Sequence, residues 1–148
     1  MDLFNQDTSK INLLPYDGTV LYHGKIMSNQ RADELYDFLF HQVEWKNDEA
    51  IIFGKKITTK RKVAWYGNED YEYTYSNITR QALKWTDELL ELKKKIEKLT
   101  ASTYNSCLIN LYHNGDEGVG WHSDDEPTLG LAPTIASVTF GAERKFVF

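Results

Sequence analysis

Apolar positions along this chain keep two rhythms, one of three to four residues and one of two. Ala32, Leu35, Tyr36 and Leu39 recur at helical spacing, and Ser28 stands where its hydroxyl can cap the first turn. The same rhythm returns at Leu89, Leu92, Ile96 and Leu99, behind Thr86 as cap. There Asp87 and Glu88 occupy the first turn, while Lys93 to Lys95 and Lys98 lie towards the end, a charge order that complements the helix dipole. The apolar face of this second helix is read as core and not as a partner-binding surface.

The two-residue rhythm and β-rich composition predict the strands. "GTVLYHG" reads as a short strand before the first helix. Ile51 to Phe53, Arg61 to Tyr66 and Tyr71 to Tyr75 read as a strand-rich, hairpin-like region, with "YGNED" supplying turn residues. From Ser106 onward "SCLINLY" predicts a strand, "HNGDEGVG" a loop, and "WHSDDE" a short strand ending in a turn. "TIASVTFG" and "RKFVF" predict further strands, with Ile135, Ser137 and Thr139 alternating with Ala136, Val138 and Phe140. Helices and strands without strict βαβ alternation predict an α+β architecture with a largely antiparallel sheet. The last strand ends without turn or cap, so the sheet is expected to be cut short at its C-terminal side.

Length and composition narrow the class. A chain of 148 residues with 41% hydrophobic and 14% aromatic residues suits one globular domain, spanning residues 1–148. No apolar run approaches the roughly 20 residues of a membrane span, and "MDLFNQDTSK" has neither the basic nor the apolar part of a signal peptide. Cys107 is the sole cysteine, which excludes an internal disulfide and fits a reducing compartment. The protein is therefore expected in the cytoplasm, or in the nucleus of a eukaryote, as a monomer with no membrane partner.

Charge adds a pattern that the net value of -5 hides. "KKITTKRK", Lys55 to Lys62, carries five basic residues and no acidic one, while Asp116, Glu117, Asp124, Asp125 and Glu126 crowd the later loop. Such a separation suits a polyanion at one place and a cation at another; a solvated basic hairpin is the alternative.

His122 and Asp124 carry the candidate chemistry. On a strand, residues i and i+2 point to one face, so an imidazole and a carboxylate would stand side by side and could fill two adjacent positions on an iron ion. The third ligand of a two-His-one-carboxylate site would come from a distant strand. Alone, a His-x-Asp pair is weak, because a surface histidine among acidic loop residues gives the same string. Asn110 and Tyr112 share the spacing of two and hence a strand face; a strand-end amide serving local backbone groups is the plain reading of Asn110.

Two blocks in the right order carry a resemblance. "LINLYHNGDEGVGWHSDDE" followed by "PTIASVTFGAERKFVF", with "FGKKITTKRKVAWYGNEDYEYTYS" upstream, resembles the AlkB-like iron(II)/2-oxoglutarate dioxygenases that repair alkylated nucleic-acid bases. The match spans about Ile51 to Phe148 and looks most similar to the branch holding the human nuclear DNA-repair homologues. It implies an open double-stranded β-helix (jelly roll), incomplete at its C-terminal side, with N-terminal helices and a nucleotide-recognition hairpin region. It implies iron(II) on His122 and Asp124, 2-oxoglutarate on Asn110 and Tyr112, and oxidative demethylation of N-alkylated DNA or RNA bases, releasing formaldehyde, succinate and CO2.

For the substrate, the resemblance implies a base pocket walled by Tyr73, Thr74 and Tyr75, with Tyr75 stacking on the extruded base opposite His122. Ordinary cross-strand aromatic packing is the alternative for that run. Phe53 falls on the family's intercalating position, beside Gly54. Lys55 and Arg61 would lie close to phosphates. Asp125 and Glu126 would read the polar edge of the base. One departure stands against the match: no histidine follows His122, and the family's third iron ligand and cosubstrate-binding arginines have no counterpart in this chain. A nucleic-acid-binding remnant without oxidation, and a related dioxygenase acting on RNA, protein or a small molecule, remain the other readings.

Overall fold

The computed structural model describes residues 8–52, 54–75, 78–124 and 129–148. Ser28 accepts a hydrogen bond from the Arg31 N–H and starts α1 (Asn29–Gln42). β1 (Lys46–Ile52) turns into the long β2 (Lys55–Gly67), with Gly54 at φ +73 in the connection, a conformation that suits a residue lacking Cβ. β3 (Glu72–Tyr75), β4 (Ile78–Gln81) and the short β5 (Leu83–Lys84) follow. Thr86 caps α2 (Asp87–Thr100) by accepting from the Leu89 N–H, and β6 (Ser106–Leu111) closes the order.

β2 is the central strand. Lys62 and Val63 pair with β1 and β6 at once, and Tyr66 and Gly67 with β5 and β6, so β6 takes one edge and β1 and β5 share the other. The β1 and β6 pairings are antiparallel and the β5 pairing is parallel; β3 and β4 form a separate antiparallel pair. Two helices with this mixed sheet make the chain α+β, as the pattern predicts.

The core lies where the helices meet the even-numbered face of β2. Leu39 and Val43 from the end of α1, Leu89 from α2, and Ala64 and Tyr66 from β2 bury together, with Ile109 of β6 directly opposite Ala64. Trp45 packs beside them and donates from Nε1 to the Leu39 carbonyl at 3.1 Å, closing the end of α1 without a glycine. An Arg31–Glu91 ion pair at 2.6 Å links the two helices at the surface. Among the described residues no helix is long and apolar enough to cross a membrane.

Some expectations fail for identifiable reasons. "GTVLYHG" is not a strand: Asn12 Oδ1 accepts from the Leu14 and Val20 N–H groups at 3.1 and 2.8 Å, so a side chain takes bonds that a ladder would need. Tyr36 and Leu99, placed on the helix faces by spacing, are exposed, because each core-facing stripe narrows to Leu35 and Leu39 or to Leu89 and Ile96. Trp121 to Asp124, "TIASVTFG" and "RKFVF" form no strands. Alternation specifies a face, whereas a strand also needs a partner's backbone, and none of these segments meets one among the described residues. Phe140 still packs on the core, and Gly141 (φ +80) follows where an added Cβ would meet the Tyr36 ring at 2.9 Å.

Cys107 sits in β6 opposite Tyr66, and burial pushes its thiol up to about 11. At pH 8 its reaction with a disulfide reagent is expected to be roughly a hundredfold slower than that of the denatured chain, following the lost thiolate fraction. Equal rates would show that the thiol is open to solvent.

Candidate iron and cosubstrate site

β6 points the site. Its last residues lead through Tyr112 into the loop from His113 to Trp121, and the loop ends at His122. Although residues 122–124 are not a strand, the His122 ring and Asp124 carboxylate do stand together, Nε2 to Oδ1 at 3.5 Å, both about half exposed. His122 Nδ1 lies 2.9 Å from the Gly120 carbonyl. A carbonyl can only accept, so Nδ1 carries a proton, which leaves Nε2, on the Asp124 side, as the nitrogen that a metal could take. A metal-binding imidazole needs such an acceptor on its other nitrogen to fix the ring's orientation. The donor set fits two positions on iron(II); among the described residues no third His, Cys, Asp or Glu joins it.

The loop is tied down beside the sheet. The His113 N–H donates to Glu117 Oε2 at 2.9 Å and its ring meets the same carboxylate at 3.0 Å. The His113 backbone N–H holds the Glu117 carboxyl below the usual carboxylate range, the His113 ring and Lys60 adding to it. Arg144 donates to the carbonyls of Asn114 (2.9 Å) and Glu117 and lays its guanidinium 4.2 Å above the Tyr112 ring. Arg144 escaped the sequence reading because only the path of the C-terminal segment brings it there.

Asn110 is half-buried on the odd-numbered face of the sheet, opposite Val63. Arg61 reaches it from the next pair along, Nη1 donating to Asn110 Oδ1 at 3.1 Å, while Nη2 donates to Asp48 Oδ2. The side chains of Arg61 and Asp48 are only 14% and 12% exposed. Arg61 is thus held within the sheet face and not displayed with the basic run, and its buried Nε meets no acceptor among the described residues. Lys55 and Lys60 are exposed, and Lys56 pairs with Glu49 at 2.9 Å.

The charge separation read from the sequence narrows at one place among the described residues. Pairing of β2 with β6 brings the acidic loop beside the basic strand, and Thr59, Lys60 and Arg61 face Asp116, Glu117 and Gly118 across a cleft of about 210 Å³. Tyr73, Thr74 and Tyr75 lie in β3, opposite Arg80, Thr79 and Ile78 of β4. Gly54 is exposed at the hairpin connection. Phe53, Asp125 and Glu126 lie outside the described residues.

The family model described as the 2OG-Fe(II) oxygenase superfamily matches residues 18–148. The chain belongs to this superfamily. Similar proteins include the alpha-ketoglutarate-dependent dioxygenase alkB homolog 3 of Homo sapiens, 43% identical over 127 residues, which are 85% of this chain and 43% of that protein. The Bos taurus protein of the same name is 44% identical over 79% of this chain and 41% of its own length. The DNA oxidative demethylase ALKBH2 of Homo sapiens is 36% identical over 83% of this chain and 48% of its own length. The chain spans about half the length of the curated relatives it matches. The AlkB-like resemblance drawn from the motif blocks is borne out.

Proposed function

We propose that this superfamily member is an oxidative demethylase of N-alkylated bases in DNA or RNA, built on a jelly roll. The observation that carries the proposal is the His122–Asp124 pair, with its imidazole proton fixed on Nδ1 by Gly120. The two side chains would hold iron(II), and Asn110 and Tyr112 would hold 2-oxoglutarate. When bound, the iron and 2-oxoglutarate would supply the oxidation by O2 that converts an N-methyl to a hydroxymethyl group, with succinate and CO2 as coproducts.

The remaining residues bind and orient. Lys55 and Lys60, exposed on β2, are suited to phosphates. Phe53 and Gly54 would fill the gap left by an extruded base, Tyr73, Thr74 and Tyr75 would wall it, and Asp125 and Glu126 would meet its polar edge. Arg61, which the resemblance puts near phosphates, is better suited by its ion pair with Asp48 to a role inside the sheet.

The test is to mix the chain with iron(II), 2-oxoglutarate, O2 and a methylated oligonucleotide, DNA and RNA in parallel. Formaldehyde and succinate should appear together and depend on the methyl group. Nucleic-acid binding without either product would favour the binding-remnant reading, and turnover only with methylated peptide would move the substrate class.

A salt titration tests the nucleic-acid contact. Replacing Lys55 and Lys60 together with Ala should flatten the log-log salt dependence of duplex binding by about two units, roughly 0.9 per lost phosphate contact. All sequences should weaken alike. An unchanged slope would remove this strand from the interface.

A further inference from the structure

We infer that Arg61, backed by Asp48, is a positioning residue that sets which way the Asn110 amide faces. The inference rests on the cosubstrate reading of Asn110 and adds how that residue is aimed. A guanidinium has donors and no acceptor, so the Asn110 atom 3.1 Å from Arg61 Nη1 must be the carbonyl oxygen. The Asn110 Nδ2 group is then turned away from Arg61, with both of its N–H donors directed at whatever occupies the other side. A ligand met there must accept, and a carboxylate accepts best.

The sheet register builds this device. Asn47 pairs with Lys62 while Glu49 pairs with Thr58, so Asp48 alone faces the three residues Thr59 to Arg61. The bulge is tied by Asn47 Nδ2 donating to the Thr59 carbonyl (2.9 Å) and Thr59 Oγ1 to the Arg61 carbonyl (3.0 Å). Counting back from Lys62, Asp48 lies directly across from Arg61 on one edge, and Asn110 lies diagonally on the other, opposite Val63. Those two geometries are within reach of a long side chain on one sheet face. Bulges re-aim side chains, and here the result is a fork with one arm on a carboxylate and one on an amide. Asp48 matters twice: it offsets the arginine charge, and it holds the guanidinium so that the second arm cannot swing away.

The experiment follows the Asn110 side-chain amide by ¹⁵N–¹H correlation in the full chain, with 2-oxoglutarate titrated in and binding measured by calorimetry. In the unaltered chain the two Asn110 amide protons should be distinct and should shift as 2-oxoglutarate binds. The double variant Asp48→Leu with Arg61→Met removes fork and counter-charge together and keeps an apolar filling. It should collapse or broaden the Asn110 signals and weaken 2-oxoglutarate about tenfold. Arg61→Lys keeps a donor and loses the fork, so it should move the Asn110 signals and weaken 2-oxoglutarate part of the way towards the double variant, whereas a merely space-filling role predicts no change with lysine. Binding by the double variant at the original affinity with unmoved Asn110 signals would overturn the positioning role alone. An Asn110 amide that never responds to 2-oxoglutarate in the unaltered chain would overturn the cosubstrate reading and this inference with it.

Discussion

Asp48→Ala is expected to lower the stability of the folded chain by about 3–5 kcal/mol, the usual cost of stranding one member of a buried ion pair. The reason is the site it occupies. The Arg61 guanidinium lies 14% exposed between Asp48 and Asn110, and its Nε already lacks an acceptor among the described residues. With Asp48 gone, the amide oxygen is the acceptor left on the Nη arms among the described residues, and the charge stays buried. For a domain of this size a loss of that order lowers the melting temperature by roughly 10 °C or more. Thermal unfolding followed by circular dichroism would measure it. The paired change Asp48→Leu with Arg61→Met should sit close to the unaltered chain, because burying two apolar groups avoids the desolvation that the ion pair has to offset. A single variant within 1 kcal/mol of the parent would mean that water reaches the pair.

His122→Ala and Asp124→Ala are each expected to take metal-dependent turnover down by more than the roughly 10–100-fold typical of losing a residue that only supports a ligand, since in the proposed site each is a ligand itself. Manganese(II) in place of iron, read by electron paramagnetic resonance, separates lost metal from lost substrate. Stability should hardly move. Both side chains are about half exposed, and a solvated pair 3.5 Å apart contributes about 0–1 kcal/mol. Retained metal signal in both variants would take the iron away from this pair, whereas lost turnover with a large fall in melting temperature would mark the residues as structural.

What the sequence determined by itself is local. Ser28 and Thr86 accept from the N–H groups three residues on, as cap chemistry requires. The stripes through Leu35 and Leu39 and through Leu89 and Ile96 bury, since side chains three and four apart share a helix face. "SCLINLY" gives a strand, and the motif blocks around His122 carry the family.

Only the tertiary structure decided the rest. A period of two says which side of a strand is apolar and nothing about its partner, so it could not distinguish β6, paired along β2, from "TIASVTFG", paired with nothing described. The same period presumed a strand beneath His122 and Asp124, yet the two side chains meet from an irregular segment held by the Gly120 carbonyl. Arg61 reads as one cation in a basic run until a bulge sets it across from Asp48 and diagonal to Asn110. Asp48, 13 residues away in sequence, carries no local sign of that contact. Register between strands is a non-local quantity, set by which residues of two separate segments face each other, and it is register that turned Arg61 from a surface charge into the residue that aims the site.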